Sequence, residues 1–266
     1  MPKFFVANEQ IKDNNIYIIG QDANHIRKVL RAKIGEKLEV CNKDTQENFL
    51  CEIVDFYDDK IECIKNEKLN TSVESNVEVT IFQGLPKADK MELIIQKSVE
   101  LGVFKIVPVA MKRSIVKLEG KDEKKKIERW QKISEVAAKQ CGRDYIPKIE
   151  NVMKLKDIIL QKDSFDDIIV AYEEEKECKL KEVIADLKNK YQENTRKYGD
   201  SAKSAKVKIG IVIGPEGGID KEEINLLKEN GLKIVTLGKR ILRTETVALN
   251  MLSILMYELE DSITLV

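Results

Sequence analysis

The stretch IGIVIGPEGG, Ile209 to Gly218, and its echo VTLGKRILRTETVAL, Val235 to Leu249, decide how this chain folds. Each runs an apolar strand into a glycine-containing loop and then a helix, so two turns at neighbouring strand ends can close on one ligand. Gly214, Gly217 and Gly218 lack a Cβ where a chain must turn sharply or let a flat ligand approach, which leaves peptide N–H and C=O groups as the recognition edge. Pro215 fixes one φ. Asp220 followed by Glu222 and Glu223 reads as an N-cap with acids in the first turn, predicting a helix from about Lys221 to Asn230 that Gly231 stops. In the echo, Gly238 breaks the strand and Thr244 or Thr246 caps the next helix. Val247, Leu249, Met251, Leu252, Ile254 and Leu255 form that helix's buried side. The polar string Lys239, Arg240, Arg243, Thr244 and Glu245 sits at the loop. Either segment alone reads equally well as a tight turn or a capped helix start. Both together, at adjacent strand ends, point to a binding site, because open sheets bind ligands beyond the carboxyl ends of their strands. GPEGG lacks the G-x-G-x-x-G spacing and no Walker lysine follows it, so this is neither a dinucleotide nor a P-loop motif.

The same alternation extends upstream. Strand 77–83, helix 87–101, strand 104–110, helix 122–141, a short helix 154–162, strand 167–172, helix 177–190, strand 207–213, helix 221–230, strand 233–237 and helix 244–260 imply crossover connections and a parallel sheet. From Phe4 to about Leu69 the pattern changes to short strands, FFVA, IYIIG, KLEVC, NFLCEIVDFYDD and KIECIK, interrupted by one amphipathic helix near Ala23 to Arg31. That is how a small β-barrel reads. LNTSVESN, Leu69 to Asn76, reads as a linker, and ENTRKYGDSAKSAK, Glu193 to Lys206, as a mobile surface loop low in apolar residues. Two domains are therefore expected, 1–70 and 75–266, within the 266 residues.

Lys plus Arg equals Asp plus Glu at 46 each, so any attraction to nucleic acid must be local. Residues 1–70 carry 11 basic and 13 acidic side chains; residues 84–150 carry 16 and 10, a net of +6. In that positive region Lys112, Arg113, Lys117, Lys121, Lys124, Lys125, Lys126, Lys139 and Arg143 predict a phosphate-attracting surface, with Lys124 to Lys126 read as a solvated helix face. No run approaches the ~18 apolar residues of a membrane span. Met1 to Gly20 is broken by Asn8, Glu9, Lys12 and Asp13, unlike a signal peptide. Cysteines 41, 51, 63, 141 and 178 show no C-x-x-C and there is a single histidine, which predicts no metal site and reduced thiols in a cytoplasmic protein.

Four separated blocks resemble the SPOUT methyltransferases, and within them the family that methylates N3 of a uridine in small-subunit ribosomal RNA. They are MPKFFV with HIRKVLRAKIGE, then GLPKADKMELIIQKSVELGV, then RSIVK with AAKQCGRDYIPKI, and finally the two glycine segments. The resemblance spans nearly the whole chain. It implies an α/β fold: a C-terminal parallel-sheet methyltransferase domain closed by a trefoil knot, and a small N-terminal PUA-like, RNA-binding β-barrel. It further implies S-adenosyl-L-methionine as cofactor, 16S ribosomal RNA of the small subunit as partner, and a homodimer through the C-terminal domain, with the apolar side of Val247 to Leu259 as interface. The carried-over cofactor residues are Gly214, Pro215, Glu216, Gly217 and Gly218 in the first loop, and Leu237, Gly238, Ile241, Leu242, Arg243 and Thr244 in the second.

The chemistry assigns further roles. Uridine N3 holds its proton at neutral pH, and its anion spreads charge onto O2 and O4, so a fixed guanidinium would lower the barrier. Arg243 is the catalytic candidate for that role, and Glu245 or Glu216 the candidate proton acceptor. RNA contacts are expected from Arg27, Lys28 and Arg31, where Ile26, Val29 and Leu30 read as core and His25 as a helix-end cap, and from Lys87, Arg113 and Arg143. Two other readings stay open. ALNMLS, 248–253, resembles the last motif of ribose 2′-O-methyltransferases, although that branch carries an Asn near the block where this chain has Glu100-Leu101-Gly102-Val103. The other is a non-catalytic RNA-binding assembly factor. Residues 75–266 are expected to fold and bind the cofactor alone, and a branched residue at Gly217 to abolish cofactor binding.

Overall fold

The computed structural model describes residues 3–70, 73–198 and 206–264, with side chains excepted at 192–198 and 261–264. The chain divides into two compact units, one formed by Met1–Glu74 with Glu135–Ile146, the other by Ser75–Ser134 with Pro147–Val266.

In the first unit β1 (Lys3–Val6), β2 (Ile11–Lys12), β3 (Asn15–Ile19), β4 (Lys37–Asn42), β5 (Asn48–Phe56) and β6 (Lys60–Leu69) form one sheet in the order β1-β4-β5-β6-β3-β2. All its pairings are antiparallel except β1 with β4. Alternation places Ile16 and Ile18, Leu38 and Val40, Cys51 and Ile53, and Ile61 and Cys63 on one buried face. Helix α1 (Gly20–Asn24) runs into a π-helical segment, His25–Leu30, which ends at Arg31 with φ 54°. Ile26 is fully buried, but Val29 is 66 % and Leu30 39 % exposed, so these two are not core. The wider π turn breaks the 3.6-residue period on which their burial was predicted. His25 occupies the C-cap position of α1 with an exposed ring.

Charge pairs tie residues 142–144 into this unit. Lys3 Nζ lies 2.5 Å from Asp144 Oδ1 and donates to Gly142 O at 3.1 Å, while Arg143 Nε donates to Glu74 Oε1 at 3.1 Å. Glu74 Oε1 also accepts from the Asp144 N–H at 2.9 Å, and Asp144 Oδ2 from the Val73 N–H at 3.0 Å. Arg143 is thus buried and committed to Glu74 rather than presented as a phosphate contact. A cut at residue 75 would strip Arg143 and Asp144 of these partners, while every strand of the second unit's sheet stays within 75–266. Within the expected linker, residues 73 and 74 are anchored; 71 and 72 lie outside the described residues.

In the second unit β7 (Val77–Gly84), β8 (Lys105–Ala110), β9 (Lys148–Ile149), β10 (Met153–Lys154), β11 (Asp167–Ala171), β12 (Val207–Ile213) and β13 (Lys233–Val235) build an all-parallel sheet. Its order is β10-β8-β7-β12-β11-β13, with β9 also on β8. Every residue of β7 is buried, as expected for a central strand covered on both faces. The connecting helices are α2 (Lys90–Glu100), α3 (Gly120–Cys141), α4 (Leu155–Leu160), α5 (Leu180–Tyr198), α6 (Lys221–Glu229) and α7 (Thr244–Thr264). Asp220 caps α6 as its sequence predicts, accepting from the Glu222 N–H at 3.1 Å. Boundaries depart from the sequence reading at α2 and α5 among other places. Helix α2 starts three residues later than expected, after Ala88 at φ 51°, and α5 runs on through Glu193 to Tyr198, where a loop was expected. The rest of that loop, 199–205, lies outside the described residues.

Phe82, Val107, Val109, Ile168, Val170, Val212, Ile219, Ile224, Leu227 and Ile234 make one core beneath the sheet. On α7, Ala248, Met251, Leu252, Leu255 and Leu259 are buried within the unit, so most of the apolar side assigned to a dimer interface is used internally. No helix among the described residues is long and apolar enough to cross a membrane.

Candidate active site

The strand order reverses between β7 and β12, the kind of switch point that opens a crevice beyond the strand carboxyl ends. There a cavity of about 390 Å³ is walled by four chain segments. Ala171 to Glu173 continue β11, Ile213 to Ile219 form the first glycine loop, Thr236 to Thr244 the second, and Lys90 opens α2.

Close approach explains the glycines. A Cβ on Gly84, the last residue of β7, would lie 2.7 Å from both Pro215 N and Pro215 Cδ, so only hydrogen lets the strand end pack under the first loop. Gly214 would meet Gly218 C at 2.9 Å. Gly218 (φ 71°) and Gly238 (φ 111°) adopt left-handed backbone, and Gly238 faces open space. A hydrogen-bond relay then joins the loops. Thr244 Oγ1 donates to Gly214 O at 2.7 Å and accepts from Gln83 Nε2 at 2.9 Å, with Gln83 fully buried at the end of β7. The Thr244 hydroxyl, expected to cap α7, is spent across the two loops instead.

Charge gathers on one side. Glu216 Oε1 lies 3.0 Å from Lys90 Nζ and accepts from the Lys87 N–H at 3.0 Å. Burial pushes the Glu216 carboxyl up, but hydrogen bonds from its own backbone, Lys90 and Lys87 outweigh it and hold the group below the usual carboxylate range. The hydrogen bond that Lys90 donates to Glu216 raises Lys90 in turn, and Glu245 Oε2 lies 3.5 Å from the same ammonium.

The structure brings most sequence-predicted residues together and sets a few apart. Gly214, Pro215, Glu216, Gly218, Leu237, Gly238, Ile241, Leu242, Arg243 and Thr244 line the cavity. Arg243 is exposed and makes no side-chain ion pair among the described residues. Gly217 is off the wall: its Cβ would point at Arg113 Cβ, 3.2 Å away, and Arg113 Nη1 donates to Gly217 O at 3.1 Å. Arg113 also reaches Asp220 at 3.3 Å, so it buttresses the first loop. Glu245 is outside the wall, joined to it through Lys90. Arg27 donates to Tyr57 O and, at 3.2 Å, to Asp58 O. Lys28, Arg31 and Lys87 are exposed, without an ion pair among the described residues. Sequence reading missed Gln83, Gly84, Lys90, Tyr172 and Glu173. Gln83, Gly84, Tyr172 and Glu173 were signalled by position, at or just beyond a strand's carboxyl end, whereas Lys90, which opens α2, carried no such signal.

A family model described as an RNA methyltransferase domain matches residues 73–256, and one described as an RNA methyltransferase PUA domain matches residues 18–65. The ribosomal RNA small subunit methyltransferase E of Bacillus subtilis is 34% identical over 264 residues, 98% of each chain. The chain belongs to the ribosomal RNA small subunit methyltransferase E family. A crystal structure of a member of that family from Neisseria gonorrhoeae, bound to S-adenosyl methionine, aligns with a TM-score of 0.77 at 26% identity, covering 97% of each chain. A methyltransferase structure from Legionella pneumophila with the bound cofactor SAM aligns at 0.78 and 27% identity over 96% of each.

Proposed function

We infer that this protein is an S-adenosylmethionine-dependent methyltransferase that acts on N3 of a uridine in 16S ribosomal RNA. The observation that carries this is the cavity that both glycine loops wall, in a chain of this family. Its residues fit the cofactor. Among the described residues the peptide groups of Lys239 to Leu242 make no backbone–backbone hydrogen bond, Gly238 leaves space where a Cβ would stand, and Leu237, Ile241, Leu242 and Val247 supply an apolar wall. When bound, the cofactor supplies a methyl group already activated on a sulfonium.

The chain's own residues meet the remaining demand. Arg243, facing the cavity, neutralises charge that develops on uracil O2 or O4 as N3 loses its proton. Of the two candidate acids, Glu216 is committed to Lys90 and Lys87, whereas Glu245, outside the wall in the first turn of α7, makes among the described residues only the longer 3.5 Å contact with Lys90 and is the acid assigned to take that proton. RNA contacts fall to Lys28 and Arg31 in the first unit and to Lys87 in the second, with Arg27 bonded to the Tyr57 and Asp58 carbonyls and Arg113 and Arg143 holding structure.

A trefoil knot in the second unit is part of this reading. After edge strand β13, Thr236 exchanges hydrogen bonds with Cys178 and Leu180, and eight residues later Thr244 reaches Gly214 and Gln83 at the central strands. A chain returning from the edge to the centre past the 171–180 connection supports threading. A homodimer through this unit would use the side of α7 marked by Tyr257, 79 % exposed. Incubating the protein with tritiated adenosylmethionine and small-subunit ribosomal RNA, then analysing nucleosides, separates the readings. Label in N3-methyluridine is expected; label in 2′-O-methylated nucleosides, or none, overturns the inference.

A further inference from the structure

Lys90 is the first residue of α2, a place where the helix dipole disfavours a cation, and its side chain, 30 % exposed, lines the cavity. Its ammonium lies 3.0 Å from Glu216 of the first glycine loop and 3.5 Å from Glu245 in the first turn of α7. One positive charge therefore joins the three segments that carry the cofactor loops and Arg243. Glu245 Oε2, buried and without a hydrogen-bond partner, has this ammonium as its counter-ion. An isolated surface ion pair does little for stability. A cation shared between carboxylates on two separate loops does something else, because it fixes their spacing.

We propose that Lys90 is a positioning residue for methyl transfer, holding Glu216 and Glu245 so that the cofactor loop and the Arg243 loop keep their mutual register. This rests on the methyltransferase reading above. It accounts for the Lys87 N–H bond to Glu216 as well, since the 85–89 connection is then fastened to the first loop at both residues.

The test uses the intact protein with Lys90→Met, Lys90→Arg, Glu245→Gln and the Lys90→Met/Glu245→Gln pair. Calorimetric titration with adenosylmethionine is the readout that needs no turnover, and single-turnover methylation of ribosomal RNA is the second. Lys90→Met is expected to weaken cofactor binding about tenfold and to slow single turnover further, with Lys90→Arg restoring most of both. Wild-type affinity should fall as salt rises from low to about 0.5 M, while that of Lys90→Met stays nearly flat. In cofactor affinity the double variant should be no worse than Lys90→Met, because toward the cofactor the two residues act through one contact, whereas its turnover also loses the Glu245 carboxylate. Wild-type affinity and rate in Lys90→Met, or additive losses of cofactor affinity in the double variant, would overturn the proposal. Should Lys90→Met melt far below the wild type, the Lys90→Arg and Glu245→Gln titrations decide. An Arg variant no better than Met then counts against the bridge. A wild type that binds the cofactor but methylates no RNA defeats the functional reading while leaving the titration arm intact.

Discussion

Replacing Gly84 by alanine adds one methyl group where the structure has no room for it. The new Cβ would stand 2.7 Å from Pro215 N and Cδ and 3.0 Å from Gly214 C, all of them backbone or ring atoms that cannot swing aside. Carbon contacts settle near 3.5–4.0 Å, so the first loop must withdraw by roughly 1 Å. Overpacking of this kind costs about 1–3 kcal/mol. Gly→Ala at a strand φ gives back about 0.4–1 kcal/mol by restricting the unfolded chain, which leaves a net loss of about 1–2 kcal/mol. For a unit of this size that lowers the melting temperature by roughly 2–8 °C. The functional loss should be larger than this, because Gly214 O is the acceptor for Thr244 and a displaced first loop takes the second with it. Adenosylmethionine affinity is expected to fall at least about tenfold by isothermal titration, measured beside a calorimetric melt. A variant with wild-type melting and affinity would refute the claim that β7 packs directly under the cofactor loop.

Gly218→Ala, at φ 71° with its Cβ set against Glu173, should lose about 1–2 kcal/mol to backbone strain and weaken cofactor binding, whereas Gly217→Ala, facing Arg113, should bind nearly normally. Equal losses in the two titrations would contradict that placement. Because the Glu216 carboxyl is held below its ordinary value of 4.5, its contribution is complete above that pH and drains away as pH falls through the depressed native value. The melting-temperature gap between wild type and Glu216→Gln should therefore be constant from pH 8 to about 5 and close below, and a gap that widens in acid would reverse the sign. Burial pushes the thiols of Cys41, Cys51 and Cys63 up to about 12, so maleimide at pH 7.5 should label exposed Cys141 first and these three only after unfolding, as mass spectrometry of native and denatured samples will show.

The second unit was legible because its signals are local. GPEGG and RTET carry their turns and caps in the residues themselves, and β12 is a largely apolar run that announces a buried parallel strand. What escaped were contacts across the sheet. Nothing in LPKADK shows that Lys90 reaches Glu216 and Glu245, which follow it by more than a hundred residues, nor that Gly84 is a glycine because Pro215 lies on it. Arg143 misled for the same reason: a basic residue in a basic region looks solvated until Glu74 is placed against it. In HIRKVL the helical period failed because a π turn, invisible in composition, rotates Val29 and Leu30 out of the core.

The claim on which the rest depends is that the second glycine loop presents Arg243 to the reacting uracil. Single-turnover methylation of small-subunit ribosomal RNA by Arg243→Lys and Arg243→Ala, run beside adenosylmethionine titrations and thermal melts, tests it most directly. Lysine keeps the charge but loses the planar fork, so the rate of N3-methyluridine formation should fall sharply in both variants while cofactor affinity and melting temperature stay close to wild type. Full single-turnover rates in both, or a loss of rate matched by an equal loss of thermal stability, would contradict the account.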